Sequence, residues 1–303
     1  MTLSFHGVTA SRASLVASLA LVGTLTGCGY GGWTTRPTYK ETRELNAEYL
    51  DHMGLKVETT NGSIAVTRAD DRDDVQITAT IKAISEERLT ATQIAMDHDT
   101  SGRLVVHVLW PDSKRLRNEG CSFDIQTPGA YGVRLTSRNG SISIAGLEGE
   151  AILDTTNGRL TAVDHVGDVN ATTSNGRVTL ERVEGAMVAR TSNGRVRLID
   201  VNGSVDVDTS NGGVTVELAE SADGPVRVDT SNGGVKLVLS PVFAGQLVLD
   251  TSNGGISYDV ARNVRRVSAS KHHATLQIGD DGPTSIVSTN NGSIDVEFAG
   301  EDD

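Results

Sequence analysis

The sequence predicts an all-β protein, a single-stranded parallel β-helix (β-solenoid) of about 18 to 21 residues per coil. Three observations carry that expectation. The 303 residues include 33 Gly and many Val, Thr, Ile and Ser but only 4 Phe and 2 Trp, so turns and β-branched side chains replace the aromatics of an ordinary core. An Asn-Gly pair recurs at Asn139, Asn157, Asn175, Asn193 and Asn211 in steps of 18, at Asn232 and Asn253 in steps of 21, and at Asn291 after a further 38. Around each pair, apolar and polar residues alternate with period two, as they do in strands with one buried and one wet face.

Residues 1–27 read as an export signal. Arg12 precedes an apolar run from Leu15 to Leu25, too short for a mature membrane span but suited to the centre of a signal peptide. Leu25-Thr26-Gly27-Cys28 resembles the lipobox of bacterial lipoproteins, which makes Cys28 the expected first mature residue and lipidation site, with palmitate as an expected acyl group. Gly29 stands where an inner-membrane retention signal would have Asp, so the outer membrane is favoured in a cell that has one. Residues 28–53 are expected to form a polar tether, and no other segment is apolar enough to span a bilayer. Cys121 is the one other cysteine; with Cys28 acylated it has no partner and reads as a small buried apolar residue.

Residues 54–132 read as a β-rich N-terminal cap with an insertion. The stretch "GLKVETTNGSIAVTR" carries the repeat module at Asn61-Gly62, nearly 80 residues before the array resumes. Between them "DVQITATIKAI", "GRLVVHVLW" and "SFDIQTPGAYGVRL" alternate as strands, and "SEERLTATQIAM" suits a short helix capped by Ser85, with Glu86 and Glu87 in its first turn.

Residues 133–298 form the expected solenoid. Four residues before each Asn stand Leu135, Leu153, Ala171, Ala189, Val207, Val228, Leu249 and Val287, and three after it Ile142, Leu160, Val178, Val196, Val214, Val235, Ile256 and Ile294. Both columns point inward, as does a hydroxyl column two residues before Asn: Ser137, Thr155, Thr173, Thr191, Thr209, Thr230, Thr251 and Thr289. Stacked hydroxyls can bond the turn backbone or one another at a coil spacing of about 4.8 Å. Gly149, Gly167, Gly185 and Gly203 mark a second turn, and right-handed crossings are the expectation. Asn-Gly suits the corner because both residues tolerate positive φ. If His273 takes the Asn position, the gap of 38 splits as 20 plus 18 and the array counts nine units. Residues 299–303 are an acidic tail expected to discourage stacking at the open end.

The lipobox, "VETTNGSIAVT", "DDRDDVQITATIKA", "SFDIQTP" and the run of "TSNGxVxL" units together resemble the bacterial DUF4097 family, often labelled as adhesins, over roughly residues 54–298. The resemblance implies a β-helix exposed in the cell envelope and supplies no catalytic residues.

A formal charge of −12 argues against sequence-independent nucleic-acid binding. The candidate contact surface is an Arg column two residues after Asn, at Arg159, Arg177 and Arg195, widened by Arg190 and Arg197. Stacked guanidinium groups suit an anionic partner, such as an acidic glycan or a lipid headgroup, although neighbouring Glu and Asp could equally compensate them. Asp154, Asp208, Asp229 and Asp250 share another column, but one carboxylate per coil and the absence of a GGxGxD turn speak against calcium. His272-His273 lacks a spaced third ligand and reads as a degenerate coil. No catalytic residue, metal or cofactor is expected. The first reading is therefore a non-catalytic envelope lipoprotein that contacts the membrane through its anchor and binds an anionic glycan or another envelope protein. The alternatives are a polysaccharide-active enzyme, which needs a localised carboxylate cluster that ladders do not give, and a structural or regulatory envelope component.

Overall fold

The computed structural model describes residues 38–259 and 264–299. The signal segment, Cys28 and the acidic residues 300–303 lie outside the described residues. The N-terminal strands are β1 (Tyr39–Glu48), β2 (Leu55–Glu58), β3 (Ile64–Arg68), β4 (Asp74–Ala83), β5 (Gln93–His98), β6 (Leu104–Leu109) and β7 (Gly120–Thr127), with helix α1 (Glu86–Ala91) between β4 and β5. The array begins with β8 (Tyr131–Asn139), β9 (Ile142–Ala145), β10 (Glu148–Asn157), β11 (Leu160–Val166), β12 (Val169–Thr173) and β13 (Val178–Glu184). It continues through β14 (Met187–Thr191), β15 (Val196–Val201), β16 (Val205–Asn211), β17 (Val214–Leu218), β18 (Val226–Asn232) and β19 (Val235–Leu239). The last strands are β20 (Gly245–Thr251), β21 (Ile256–Tyr258), β22 (Val264–Ala269), β23 (His273–Ile278), β24 (Thr284–Asn291) and β25 (Ile294–Phe298).

Each Asn-Gly pair joins two strands of one coil, and the coils stack in parallel into two walls. The strand before the corner builds the order β2-β8-β10-β12-β14-β16-β18-β24-β20. The strand after it builds β3-β9-β11-β13-β15-β17-β19-β25-β21. Register follows the repeat, with Leu135 beside Leu153, Leu153 beside Ala171 and Ala171 beside Ala189. The inward columns are buried as the alternation predicts, except Ile256, which is half-buried because β21 has a partner on one side.

The hydroxyl column bonds backbone. Ser137, Thr155, Thr173 and Thr191 donate to the carbonyls of Gly62, Gly140, Gly158 and Gly176, each in the neighbouring coil, at 2.9–3.2 Å. The corner glycines pack on the same line. A Cβ on Gly158, Gly176, Gly194 or Gly212 would lie 1.8–2.0 Å from the carbonyl oxygen of the preceding corner glycine. Positive φ is not what selects these four residues, contrary to the expectation for Asn-Gly, because none of them adopts it. Close backbone approach does, since only a residue without Cβ fits.

Several boundaries differ from those expected. Tyr39–Glu48 is no tether: β1 pairs antiparallel with β4 along its full ten residues. The walls also run through the boundary placed at residue 133, because β6 and β7 add to β2 and β3 in parallel. Antiparallel additions then finish this end, β5 on β6 and β4 with β1 on β7. Ser85 caps α1 as expected, accepting from the Arg88 N–H at 3.2 Å.

At the other end the coils are out of chain order. The coil of Asn291 sits between those of Asn232 and Asn253, so β24-β25 is internal to the stack and not at its open end. The His273 segment is not a ninth coil. β22 and β23 form an antiparallel hairpin laid on β20, with Leu276 and Ile278 buried against the core.

Candidate functional site

The corner carries a ladder of side-chain amides. From Asn139 on, each Asn Nδ2 donates to the Asn Oδ1 of the coil before it in the stack, in the order Asn61, Asn139, Asn157, Asn175, Asn193, Asn211, Asn232, Asn291 and Asn253, at 2.7–3.0 Å. These bonds fix the edge from which the next side chains project. Two residues beyond, Arg159, Arg177 and Arg195 stand on successive coils, with their carbonyls bonded to the N–H groups of Ile142, Leu160 and Val178 at 2.9–3.1 Å. Their side chains are therefore about 4.8 Å apart per coil.

All three are exposed. Among the described residues none forms an ion pair, whereas Arg68, Arg72, Arg88, Arg182 and Arg190 each meet a carboxylate. The columns on either side are hydroxyls, Thr156, Ser174 and Ser192 before the corner and Thr161 and Thr179 after it. Arg197 follows in the second column on β15, exposed and likewise without a carboxylate among the described residues, so it extends the file. Arg190 does not. It projects from β14 in the other wall and binds Asp206 at 3.1 Å.

The file ends by a change of residue. Gly213, Gly234 and Gly255 occupy the same position in later coils, and a Cβ there would meet nothing closer than 3.5 Å. Unlike the corner glycines, these are not demanded by packing.

The remaining candidates fall apart on inspection of the coil order. Asp229 and Asp250 are both beside Ser288, which separates them, and Ser288 Oγ donates to Asp229 at 2.9 Å. His273 Nδ1 lies 2.6 Å from Asp250 and its Nε2 3.1 Å from Thr275 Oγ1, so the ring is held in the hairpin. Among the described residues no group of three or more His, Cys, Asp and Glu is placed to hold a metal ion. Cys121 is buried in β7, and burial pushes its thiol up to about 12, outweighing the Arg43 charge.

With this geometry in view, the family described as Toastrack DUF4097 matches residues 116–297. The chain belongs to the Toastrack family. That match takes in every corner from Asn139 to Asn291 and leaves β1 to β6 before it. A crystal structure of a candidate adhesin from Bacteroides fragilis NCTC 9343 is similar at 14% identity and a TM-score of 0.47, over 84% of this chain and 96% of that one. One of a candidate cell adhesion protein from Clostridium sporogenes ATCC 15579 shares 11% identity, at a TM-score of 0.28, over 85% of this chain and 99% of that one. Another, of a candidate adhesin from Parabacteroides distasonis ATCC 8503, shares 9% at 0.31, over 85% and 97%. No curated protein matches the chain.

Two features of this Toastrack chain escape sequence reading. Gly146, Asp164, Arg182 and Asp200 share one column at φ 70, 52, 51 and 54, a left-handed bulge before the second turn that residues with a Cβ also occupy. There Arg182 binds Asp164 at 2.6 Å, and its hydrogen bond and charge hold that carboxyl below the usual range. The second is His165, buried among Leu147, Val183 and Val201 in an otherwise apolar column, with Nε2 2.9 Å from the Gly149 carbonyl and Nδ1 without a partner. Its sequence signal is a lone polar residue eight positions after Asn157, where the coils on either side carry Leu147 and Val183.

Proposed function

We propose that this protein is a non-catalytic binding module of the bacterial cell envelope, exported and lipid-anchored at Cys28. The arginine file, Arg159, Arg177 and Arg195 with Arg197, is its contact for an anionic envelope polymer, here an acidic glycan. One observation carries the proposal: three guanidinium groups stacked one coil apart, without a carboxylate partner among the described residues, in a chain of formal charge −12. Such a file repels itself and is relieved by an anion that lies along it; guanidinium binds carboxylate or phosphate through paired N–H groups. The even spacing matches a repeating ligand rather than a single reacting atom. Carboxylates spread one per coil support a binding role over hydrolysis, which needs two of them converging on one bond.

The test is binding of the full chain to polygalacturonate across a salt series, alone and with Arg159, Arg177 and Arg195 all changed to Ser. The triple variant is expected to weaken binding by about tenfold or more, equivalent to about 1.4 kcal/mol, and to flatten the salt dependence. Unchanged affinity in a folded variant would overturn the assignment.

A further inference from the structure

We infer that a second anion site, separate from the arginine file, lies in a cleft at the N-terminal end of the solenoid and takes a carboxylated sugar. The cleft has a volume of about 750 Å³ and is lined by Lys40, Lys82, Thr80, Asn61, Asn118 and Asn139, among others. That volume falls within the range of small-ligand sites and exceeds what a bare inorganic anion fills.

The lysines make the case. Lys40 of β1 faces Lys82 of β4 directly across the antiparallel ladder, and both are exposed. Like charges so placed weaken a strand pair. Neither has an ion-pair partner among the described residues. The next row on this face is hydroxyl, Thr42 opposite Thr80 and Thr80 opposite Ser122; the acids Glu44 and Asp124 come one row further, on either side of Thr78.

One acidic residue does line the cleft, and its charge is diverted. The Glu119 side chain is fully buried and bound by Arg88 Nε at 2.7 Å, Arg88 Nη2 at 3.0 Å and the Leu116 N–H at 2.7 Å. Burial by itself would raise its carboxyl, but the Arg88 hydrogen bonds and charge with the backbone donors hold it below the usual range. It remains an anion committed to Arg88, so the two ammonium groups face the cleft uncompensated.

The rest of the lining reads hydroxyls. The amide ladder starts here, where Asn61 Nδ2 donates to the Glu119 carbonyl at 2.9 Å and Asn61 Oδ1 accepts from Asn139 at 2.7 Å. A primary amide has two N–H groups and two lone pairs, so the ladder leaves one of each free on both residues. Asn118, exposed at φ 69, adds a third amide. Two uncompensated cations beside groups that both donate and accept fit a ligand with carboxylates and many hydroxyls, which describes a uronic acid. The concave shape favours such a unit over a flat lipid surface.

The site stands independently of the file. Lys82 is on β4, and the strand order β4-β7-β3-β9-β11 places four strand spacings, about 19 Å, between it and the Arg159 position. Calorimetric titration of the full chain with digalacturonate, lactose and inorganic phosphate, and with phosphatidylglycerol vesicles in a detergent-free series, tests it. Digalacturonate is expected to bind and lactose not to bind. Binding should fall by about tenfold or more in Lys40→Ser/Lys82→Ser and in the milder Lys82→Gln, and persist in the arginine triple variant. Thermal unfolding of the lysine variants should be unchanged or raised. Failure of digalacturonate to bind, equal binding by the lysine variants, loss in the arginine variant, or binding of phosphate or vesicles with the same dependence on the lysines would each overturn the proposal.

Discussion

At the Asn-Gly corner a Cβ on Gly176 would stand 1.8 Å from the Gly158 carbonyl oxygen, and Gly194 and Gly212 repeat the contact at the same distance. At the opposite turn Gly167, Gly185 and Gly203 also approach the preceding coil, at 2.1–2.4 Å, but with φ of 138, 144 and 133. The two bends behave differently along the chain. Between β15 and β16 the opposite turn spans residues 202–204, and between β17 and β18 it spans 219–225; that gain of four residues, less one lost from the strand before it, is the lengthening from 18 to 21 residues. The corner does not lengthen. A bend whose geometry is a contact with its neighbour must be repeated by every coil, whereas a bend set mainly by its own backbone can vary.

The contrast is broken most severely at the corner. Gly176→Ala places a methyl against fixed backbone on one side and cannot be relieved by a rotamer change, so a loss of about 4 kcal/mol or more is expected in urea unfolding. An unaltered midpoint would remove close approach as the reason for glycine.

A smaller effect is expected from His165, beside the opposite turn. Burial lowers its pKa from the ordinary 6.5, outweighing the carbonyls of Gly149 and Leu147 and the Glu148 charge, which act the other way. The unfolded chain therefore takes up the proton first. Stability is complete above pH 6.5 and declines as pH falls from there toward the folded value. In His165→Val, which copies Val183 and Val201 of its column, the unfolding midpoint should lose that decline; an identical pH profile would mean that another group carries it.

The least costly change is predicted to be an insertion. Three Gly or Ser residues placed between Asn202 and Gly203 lengthen a turn that later coils already lengthen, and by loop-closure entropy should cost about 1 kcal/mol or less. The same insertion between Asn175 and Gly176 should unfold the chain, as read by the far-ultraviolet dichroism of the strands. Equal tolerance at the two places would erase the distinction.

Much of this was legible because a period of two within a period of 18 identifies each column from position alone, as with Leu153, Thr155 and Leu160. What escaped was whatever the period does not govern. Corners at Asn253 and Asn291 share the same Thr-x-Asn-Gly-x-Ile pattern, so either coil can stack on that of Asn232, and order along the axis is undetermined by pattern. β1 reads as a tether because its inward side carries Glu41 and Arg43; these satisfy one another at 2.9 Å, while Arg43 also reaches the carbonyls of Leu89 and Thr92. Of the candidate site, the arginine file was visible as spacing. Arg190 does not belong with it, because it precedes Asn193 and so lies in the wall before the corner, whereas the file follows the corner. The lysine cleft was hidden, since Lys40, Lys82 and Asn118 meet only through antiparallel pairings that join distant segments.

The coil of Asn291, held between those of Asn232 and Asn253, gives the chain a closing step. As the chain is synthesised, the Asn253 coil is complete 38 residues before the segment it must rest against exists. Until then β20 and β21 lack the parallel neighbours β24 and β25 that they have in the finished stack. A chain cut before Thr284 would lose the pairings of β24 and β25 on both sides, so the outermost coil depends on a segment made after it.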